Sequence, residues 1–243
     1  MTGCVDHVTG MKTHGFDGVR RSGDVLPLSV NSRRYDTYVQ RDTAARWDAT
    51  YQSLGVGGVS WFQSEPAISL QLIEATGVAR DSAIVDVGGG ASVLADHLVS
   101  RGFSDLSVLD VSAVALAEAQ ARLGPEASVT WIRKDLLSFK PSRRYTLWHD
   151  RAVFHFLVDE SDRDEYRNVL MSSMALGGYV VMGTFAEDGP EQCSGLPVAR
   201  YSESSLAEML GDRFLVEETR RESHRTPSGA TQPFTWVAAR LAS

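Results

Sequence analysis

The chain has little cysteine, no excess of basic residues and no long apolar run, and each shortage excludes a class of protein. Only two of its 243 residues are cysteines, Cys4 and Cys193, which excludes a disulfide framework and favours a reduced, cytoplasmic setting. The net charge of −7 argues against nucleic acid as a partner, because nucleic-acid-binding surfaces are basic. No apolar run reaches the ~18 residues of a membrane span, and the first residues lack the apolar core of a secretory signal. No spacing of side chains suggests a metal site.

The chain does have enough apolar sequence for one large domain, since 43% of its residues are hydrophobic and 23% are charged. Residues 1–31 show no periodicity and are rich in Gly, Thr, Arg and Asp, so we interpret them as a flexible extension. Residues 32–243 then form the folded domain. It begins with a helical cap over 42–77, in which Asp42 is expected to start the first helix.

A glycine turn at residues 83–94 organises the rest of the chain. An apolar strand containing Asp86 runs into three glycines, and Ser92 can cap the helix that follows. Glycine permits positive φ and a close approach of the backbone to a ligand, and the free N–H groups at a helix start can hold an anionic group. This pattern predicts the first strand–turn–helix of a nucleotide-binding α/β fold.

Two further aspartates follow the next two predicted strands. Asp110 ends the second strand about twenty residues past the turn, where a carboxylate can accept hydrogen bonds from ribose hydroxyls. Asp135 comes just after the third strand. Ligands of open α/β sheets bind at these strand ends, so a nucleoside ligand is expected. A dinucleotide is the alternative, but Val93 stands where its Gly-x-Gly-x-x-Gly pattern needs a third glycine.

The ordered set of motifs resembles the class I S-adenosylmethionine (SAM)-dependent methyltransferases. Asp-Val-Gly-Gly-Gly-Ala-Ser at 86–92 resembles their first motif, and Trp47-Asp-x-x-Tyr51 with Val59-Ser-Trp-Phe-Gln63 resembles the N-terminal cap of one subgroup. That subgroup includes thiopurine-type small-molecule enzymes and the lysine methyltransferases that act on elongation factor 1A or citrate synthase. The resemblance covers about residues 46–240. It implies a Rossmann-like α/β fold, with a seven-stranded, mostly parallel sheet, helices on both faces and a terminal antiparallel strand.

The resemblance also implies a role for individual residues. The cofactor-binding residues are expected to be Asp86, Gly88, Gly89 and Gly90 at the methionine end, Asp110 and Val111 at ribose, Asp135 and Leu136 at adenine, and Trp47 and Tyr51 in the cap. The residues expected to shape the acceptor pocket are Trp61, Phe62 and Phe156. Asp150 and His155 are expected to face the transferring methyl group, and His155 can serve as a general base because its ordinary pKa is near neutrality. A core position for His155 is the alternative.

The expected reaction is transfer of the SAM methyl group to a small thiol, amine or hydroxyl acceptor, which leaves S-adenosylhomocysteine. A protein lysine is the alternative acceptor, although Arg151-Ala-Val replaces the Lys-Gly-Thr-type stretch usual in the lysine enzymes. An NAD(P)-linked oxidoreductase and a non-catalytic SAM-binding protein are the alternatives from other classes. The sequence does not predict an oligomeric state.

Overall fold

A computed structural model describes the chain from Ser32 to Ala242, with side chains described from Thr43 onwards. The extension predicted for residues 1–31 lies outside the described residues. The strands are β1 (Ile84–Val87), β2 (Leu106–Asp110), β3 (Val129–Arg133), β4 (Tyr145–Arg151), β5 (Met174–Phe185), β6 (Gln192–Cys193), β7 (Leu196–Pro197), β8 (Phe214–Arg225) and β9 (Thr231–Leu241). The helices are α1 (Ser32–Leu54), α2 (Ala67–Ala75), α3 (Leu94–Ser100), α4 (Ala113–Leu123), α5 (Glu160–Ser173) and α6 (Glu203–Leu210).

Seven strands form one sheet in the order β3-β2-β1-β4-β5-β9-β8. The first five are parallel, β9 is antiparallel to β5, and β8 is antiparallel to β9. The strands β6 and β7 form a separate hairpin. This topology confirms the predicted fold class. The strand order reverses between β1 and β4, so an open crevice forms at the carboxyl ends of these strands.

Helices cover both faces of the sheet, which explains why β1 is buried along its whole length. Trp148 on β4 packs into one core with Tyr166 and Leu170 of α5. The preceding residue, Leu147, points to the opposite face and packs with Leu72 of α2. Because side chains alternate along each strand, successive residues pack into two separate apolar layers, one on each face of the sheet.

Several element boundaries differ from the sequence expectation. Helix α1 begins at Ser32, well before Asp42. Ser92 does not occupy the N-cap of α3, which is Val93, although its hydroxyl accepts a 3.1 Å hydrogen bond from the Leu94 amide. Among the described helices, none is both long and apolar enough to cross a membrane.

Candidate functional site

Two adjoining cavities lie at the carboxyl ends of the central strands. The larger has a volume of about 340 Å³ and the smaller about 50 Å³, and Tyr51, Trp61, Gly88 and Arg151 line both. Other predicted residues that line the larger cavity are Trp47, Asp110, Val111, Asp135, Leu136 and Phe156. Those that line only the smaller cavity are Phe62, Asp86 and Gly89. Most of the predicted site residues therefore converge on one region.

The glycine turn is tightly enclosed. Gly88 has a φ of 63°, and a Cβ at this position would overlap the side chain of Val153. Gly90 has a φ of 43°, and a Cβ there would lie 2.8 Å from Asp110 Oδ2 and 3.2 Å from the Tyr51 hydroxyl. The turn needs glycine both for its backbone conformation and for the space beside the two side chains.

Asp110 is held at the end of β2, facing the larger cavity. Its Oδ1 accepts a 2.7 Å hydrogen bond from the Ser112 amide. Burial raises the pKa of Asp110 to about 7, and the nearby carboxylates of Asp86 and Asp48 add to this rise. The carboxylate can therefore bind a proton or accept hydrogen bonds from a ligand near neutral pH.

Asp48 fastens the helical cap to the sheet, a role that the sequence analysis missed. Its Oδ1 accepts hydrogen bonds from the Ser112 hydroxyl at 2.6 Å and from the Val114 amide at 3.1 Å. Asp48 thus accepts a hydrogen bond from one of the free amides at the start of α4, and the Ser112 hydroxyl accepts one from another, that of Ala115. The only signal in the sequence was the position of Asp48 beside Trp47.

An aromatic cluster forms the wall of the larger cavity. The Trp47 ring meets the Trp61 ring at 5.6 Å and the Phe156 ring at 5.3 Å, in both cases edge to face. Trp61 Nε1 donates a 3.2 Å hydrogen bond to the Tyr51 hydroxyl. Residues expected at the cofactor and residues expected at the acceptor thus share one wall. Phe62 lies apart from it, at the smaller cavity.

Asp135 lies on the far side of the larger cavity, in a short turn after β3. Its Oδ1 accepts a 2.9 Å hydrogen bond from the Leu137 amide, which fixes the turn. Leu136 and Leu137 line the cavity beside it. This arrangement suits a flat heterocycle that presents an amino group to a carboxylate.

Asp150 does not occupy the predicted acceptor-facing position. Its side chain is fully buried and lines neither cavity. Its Oδ1 accepts from the amides of Val153 and Phe154, and its Oδ2 accepts a 2.8 Å hydrogen bond from the Tyr166 hydroxyl. Burial raises its pKa to about 6. Because all of these contacts are internal, we correct its role to positioning the turn that presents Phe156.

His155 is also fully buried, between the rings of Phe156 and Phe185. Its Nδ1 accepts a 3.4 Å hydrogen bond from the Phe185 amide, so the proton of the neutral ring lies on Nε2. Burial, together with the positive charge of Arg151, lowers its pKa to about 3. The only nitrogen of this ring that could accept a proton already accepts a hydrogen bond from the Phe185 amide, so His155 is not placed to act as a general base. The geometry supports the alternative that His155 is a core residue.

Arg151 is the residue that the sequence analysis overlooked at the acceptor side. Its Nη1 donates a 2.9 Å hydrogen bond to the Trp61 carbonyl, and its guanidinium lies over the Phe234 ring at 4.7 Å. Its Nε and Nη2 are buried without a hydrogen-bond partner among the described residues. Burial lowers its pKa, and the charge of Glu222 opposes that effect. The signal available in the sequence was the position of Arg151 directly after Asp150, which was itself expected at the acceptor.

Two curated methyltransferases are similar to this sequence. No family model matches the chain. It is 26% identical over 103 residues to malonyl-[acyl-carrier protein] O-methyltransferase 1 of Ilyobacter polytropus, a match that covers 42% of this chain and 37% of that protein. It is 28% identical over 177 residues to EEF1A lysine methyltransferase 2 of Danio rerio, a match that covers 68% of this chain and 73% of that protein.

Solved structures share the fold at low sequence identity. A chain solved in work on the conversion of a disulfide bond into a thioacetal group during echinomycin biosynthesis has a TM-score of 0.67 at 16% identity, covering 82% of this chain and 92% of its own. The 1,6-didemethyltoxoflavin-N1-methyltransferase of Burkholderia thailandensis has a TM-score of 0.64 at 16% identity, covering 90% and 93%. The [4+2]-cyclase SpnF also reaches 0.64, at 13% identity, covering 84% and 97%. The chain therefore has the fold of the class I SAM-dependent methyltransferases and resembles methyltransferases in sequence, as its motifs predicted.

Proposed function

We propose that this protein transfers the methyl group of SAM to a small-molecule acceptor. The observation that supports this best is the convergence of Asp110, Asp135 and Gly88 of the glycine turn on one cavity with an aromatic wall. Asp110 would accept hydrogen bonds from ribose, Asp135 and Leu136 would hold adenine, and the glycine turn would face the methionine end. The proposal of methyl transfer is also supported by the two curated relatives and the fold neighbour that are methyltransferases.

The proposed reaction is an in-line displacement. SAM supplies a methyl group on a sulfonium, which is already a good leaving group, so the protein contributes mainly proximity and orientation. Trp47, Trp61 and Phe156 would exclude water from the acceptor side. Because neither Asp150 nor His155 borders the cavity, the acceptor best suited to this site is one that is nucleophilic without their help. A thiol or a neutral amine meets that condition better than an aliphatic hydroxyl.

A protein lysine is the second candidate acceptor, since one curated relative is named for lysine methylation. The guanidinium of Arg151 lines the cavity, but so do the carboxylates of Asp110, Asp135 and Asp162, so charge does not decide between the two acceptors. A small molecule is preferred because Arg151-Ala-Val replaces the Lys-Gly-Thr-type stretch usual in the lysine enzymes that the sequence resembles.

The test is product formation from SAM with a panel of aromatic thiols, aromatic amines and phenols, alongside a protein extract, followed by mass spectrometry. The proposal expects a methylated small molecule together with S-adenosylhomocysteine. Methylation of protein lysine alone would select the second candidate. SAM binding without any methylated product would support a non-catalytic SAM-binding protein. The reduced, cytoplasmic setting expected from the two cysteines stays a prediction of this proposal.

A further inference from the structure

Three polar side chains form a buried row of hydrogen bonds behind the glycine turn. Asp86 on β1 and His149 on β4 are register partners in the sheet, and Ser69 on α2 lies beyond His149. His149 Nδ1 lies 2.7 Å from Asp86 Oδ1, and His149 Nε2 lies 2.9 Å from Ser69 Oγ. Their exposed fractions are 5% for Asp86, 3% for His149 and 1% for Ser69.

The donors in this row can be assigned from chemistry. An ionised carboxylate only accepts hydrogen bonds, so His149 Nδ1 donates to Asp86. In the neutral ring, Nε2 then accepts from the Ser69 hydroxyl. Both ring nitrogens are therefore engaged, and the imidazole is fixed in tautomer and in orientation.

The row leaves one oxygen of Asp86 for another partner. Oδ1 is held by His149, whereas Oδ2 points to Gly89, where an added Cβ would overlap it. Within the part of the chain with described side chains, Oδ2 makes no hydrogen bond. The three residues of the row, with Gly88 and Gly89, line the smaller cavity of about 50 Å³. That volume is sufficient for a primary ammonium group but not for a nucleoside.

A buried row of this kind is costly for a core. Aspartate loses hydration on burial, and replacing such polar groups by apolar side chains is often neutral or stabilising. Such a row beside a ligand cavity is therefore better explained by its effect on the carboxylate that lines the cavity. The hydrogen bond from His149 holds Oδ1 and so fixes the direction of Oδ2.

We propose that His149, itself held by Ser69, is a positioning residue that aims Asp86 Oδ2 at the α-ammonium group of the cofactor's methionine end. This inference rests on the proposed function. His149 acts through Asp86 and does not touch the reacting atoms. Ser69 holds the other ring nitrogen of His149, Nε2, and so helps to fix the orientation of the ring towards Asp86.

The test compares two variants by calorimetric titration with two ligands. An asparagine amide nitrogen takes about the place of imidazole Nδ1, so His149→Asn can still donate to Asp86. A glutamine amide nitrogen takes about the place of Nε2, so His149→Gln reaches Ser69 instead. The ligands are S-adenosylhomocysteine, which has the ammonium group, and 5′-methylthioadenosine, which shares the nucleoside but lacks the amino-acid end.

The inference expects His149→Gln to weaken S-adenosylhomocysteine binding about tenfold or more and to leave 5′-methylthioadenosine binding within about twofold, while His149→Asn retains most of the affinity. Asp110→Asn is the matched control and should weaken both ligands alike. Equal losses for both ligands in the two His149 variants would mean a general structural role and overturn the inference. Unchanged S-adenosylhomocysteine binding in His149→Gln would also overturn it. Failure of the wild-type protein to bind either ligand would instead overturn the proposed function.

Discussion

The carboxylate of Asp48 accepts a 2.6 Å hydrogen bond from the hydroxyl of Ser112, across 64 residues of sequence. Ser112 also donates its amide to Asp110, so helix α1, the start of α4 and the end of β2 meet at one point. Since α1 carries Trp47 and Tyr51, this contact links the helix that bears part of the aromatic wall to the strand end that bears Asp110, and all three residues line the larger cavity.

Replacing Asp48 with alanine should therefore loosen the cap. The change removes two hydrogen bonds to a charged acceptor, each worth about 1.5–3 kcal/mol of stability. We expect a lower melting temperature and about a tenfold loss of S-adenosylhomocysteine affinity, because the wall is no longer held against Asp110. Asp105→Ala is the control, since Asp105 pairs with Arg143 at the surface and neither residue lines a cavity. Equal effects of the two variants would show that Asp48 has no special link to the site.

Gly90 and Gly102 offer a matched pair for the glycine turn. Both have positive φ, at 43° and 86°, so alanine strains the backbone at either position. A Cβ at Gly102 meets nothing within 4 Å, whereas one at Gly90 meets Asp110 and Tyr51. Gly102→Ala should lower stability by about 1 kcal/mol or more and keep ligand affinity. Gly90→Ala should lower affinity as well, by about tenfold or more in calorimetry. Intact binding in Gly90→Ala would remove the turn from the site.

The raised pKa of Asp110 predicts a dependence of ligand binding on pH. In the proposed site the ionised carboxylate would accept two hydrogen bonds from ribose, and protonation below its pKa of about 7 removes part of that capacity. Affinity for S-adenosylhomocysteine should rise between pH 6 and pH 8, and Asp110→Asn should bind more weakly with a smaller change over that range. The same slope in the variant would assign the pH dependence to another group.

The free protein should show the opposite trend in stability at this position. Because the folded-state pKa of Asp110 lies above its ordinary value of 3.8, its contribution is present at low pH and is lost as the pH rises through about 7. Asparagine does not titrate. The melting temperature of Asp110→Asn, relative to that of wild type, should therefore be higher at pH 8 than at pH 5. A constant difference between the two proteins would contradict the raised pKa.

Replacing His155 distinguishes its predicted and observed roles. With a pKa near 3, the ring is neutral over the useful pH range, and its acceptor nitrogen Nδ1 is already bonded to the Phe185 amide. His155→Gln should lower stability by about 1–3 kcal/mol, by perturbing a buried hydrogen bond. It should leave the pH profile of methyl transfer unchanged in shape. Loss of an ionisation from that profile, in a variant that still folds, would restore His155 as a base.

The sequence predicted the sheet, the glycine turn and the aspartates at its strand ends because those features are local. Asp86, Asp110 and Asp135 each follow an apolar run, and parallel strands bring their carboxyl ends to one edge. The aromatic wall was also predictable from the order of Trp47, Tyr51 and Trp61, although its edge-to-face contacts were not.

The errors concern side chains whose hydrogen-bond partners the sequence pattern does not show. Asp150 was expected at the acceptor, but Tyr166 and two backbone amides of the following turn use its oxygens. His155 was expected to face the cavity, but the chain after β4 turns it towards Phe185. Arg151, four residues before His155, lines the cavity instead, and its guanidinium also lies over the Phe234 ring. The direction of His155, in the irregular segment after β4, depends on such contacts and follows no period, whereas Asp150 and Arg151 are successive residues of β4 and point to opposite faces of the sheet.

The central claim of this account is that the cavity binds SAM. Isothermal titration of the wild-type protein with SAM, S-adenosylhomocysteine and NAD in parallel tests it most directly. The account predicts binding of the first two in about the micromolar range, with no heat from NAD. Binding of NAD without SAM or S-adenosylhomocysteine would contradict the assignments of Asp86, Asp110 and Asp135, and the proposed methyl transfer with them.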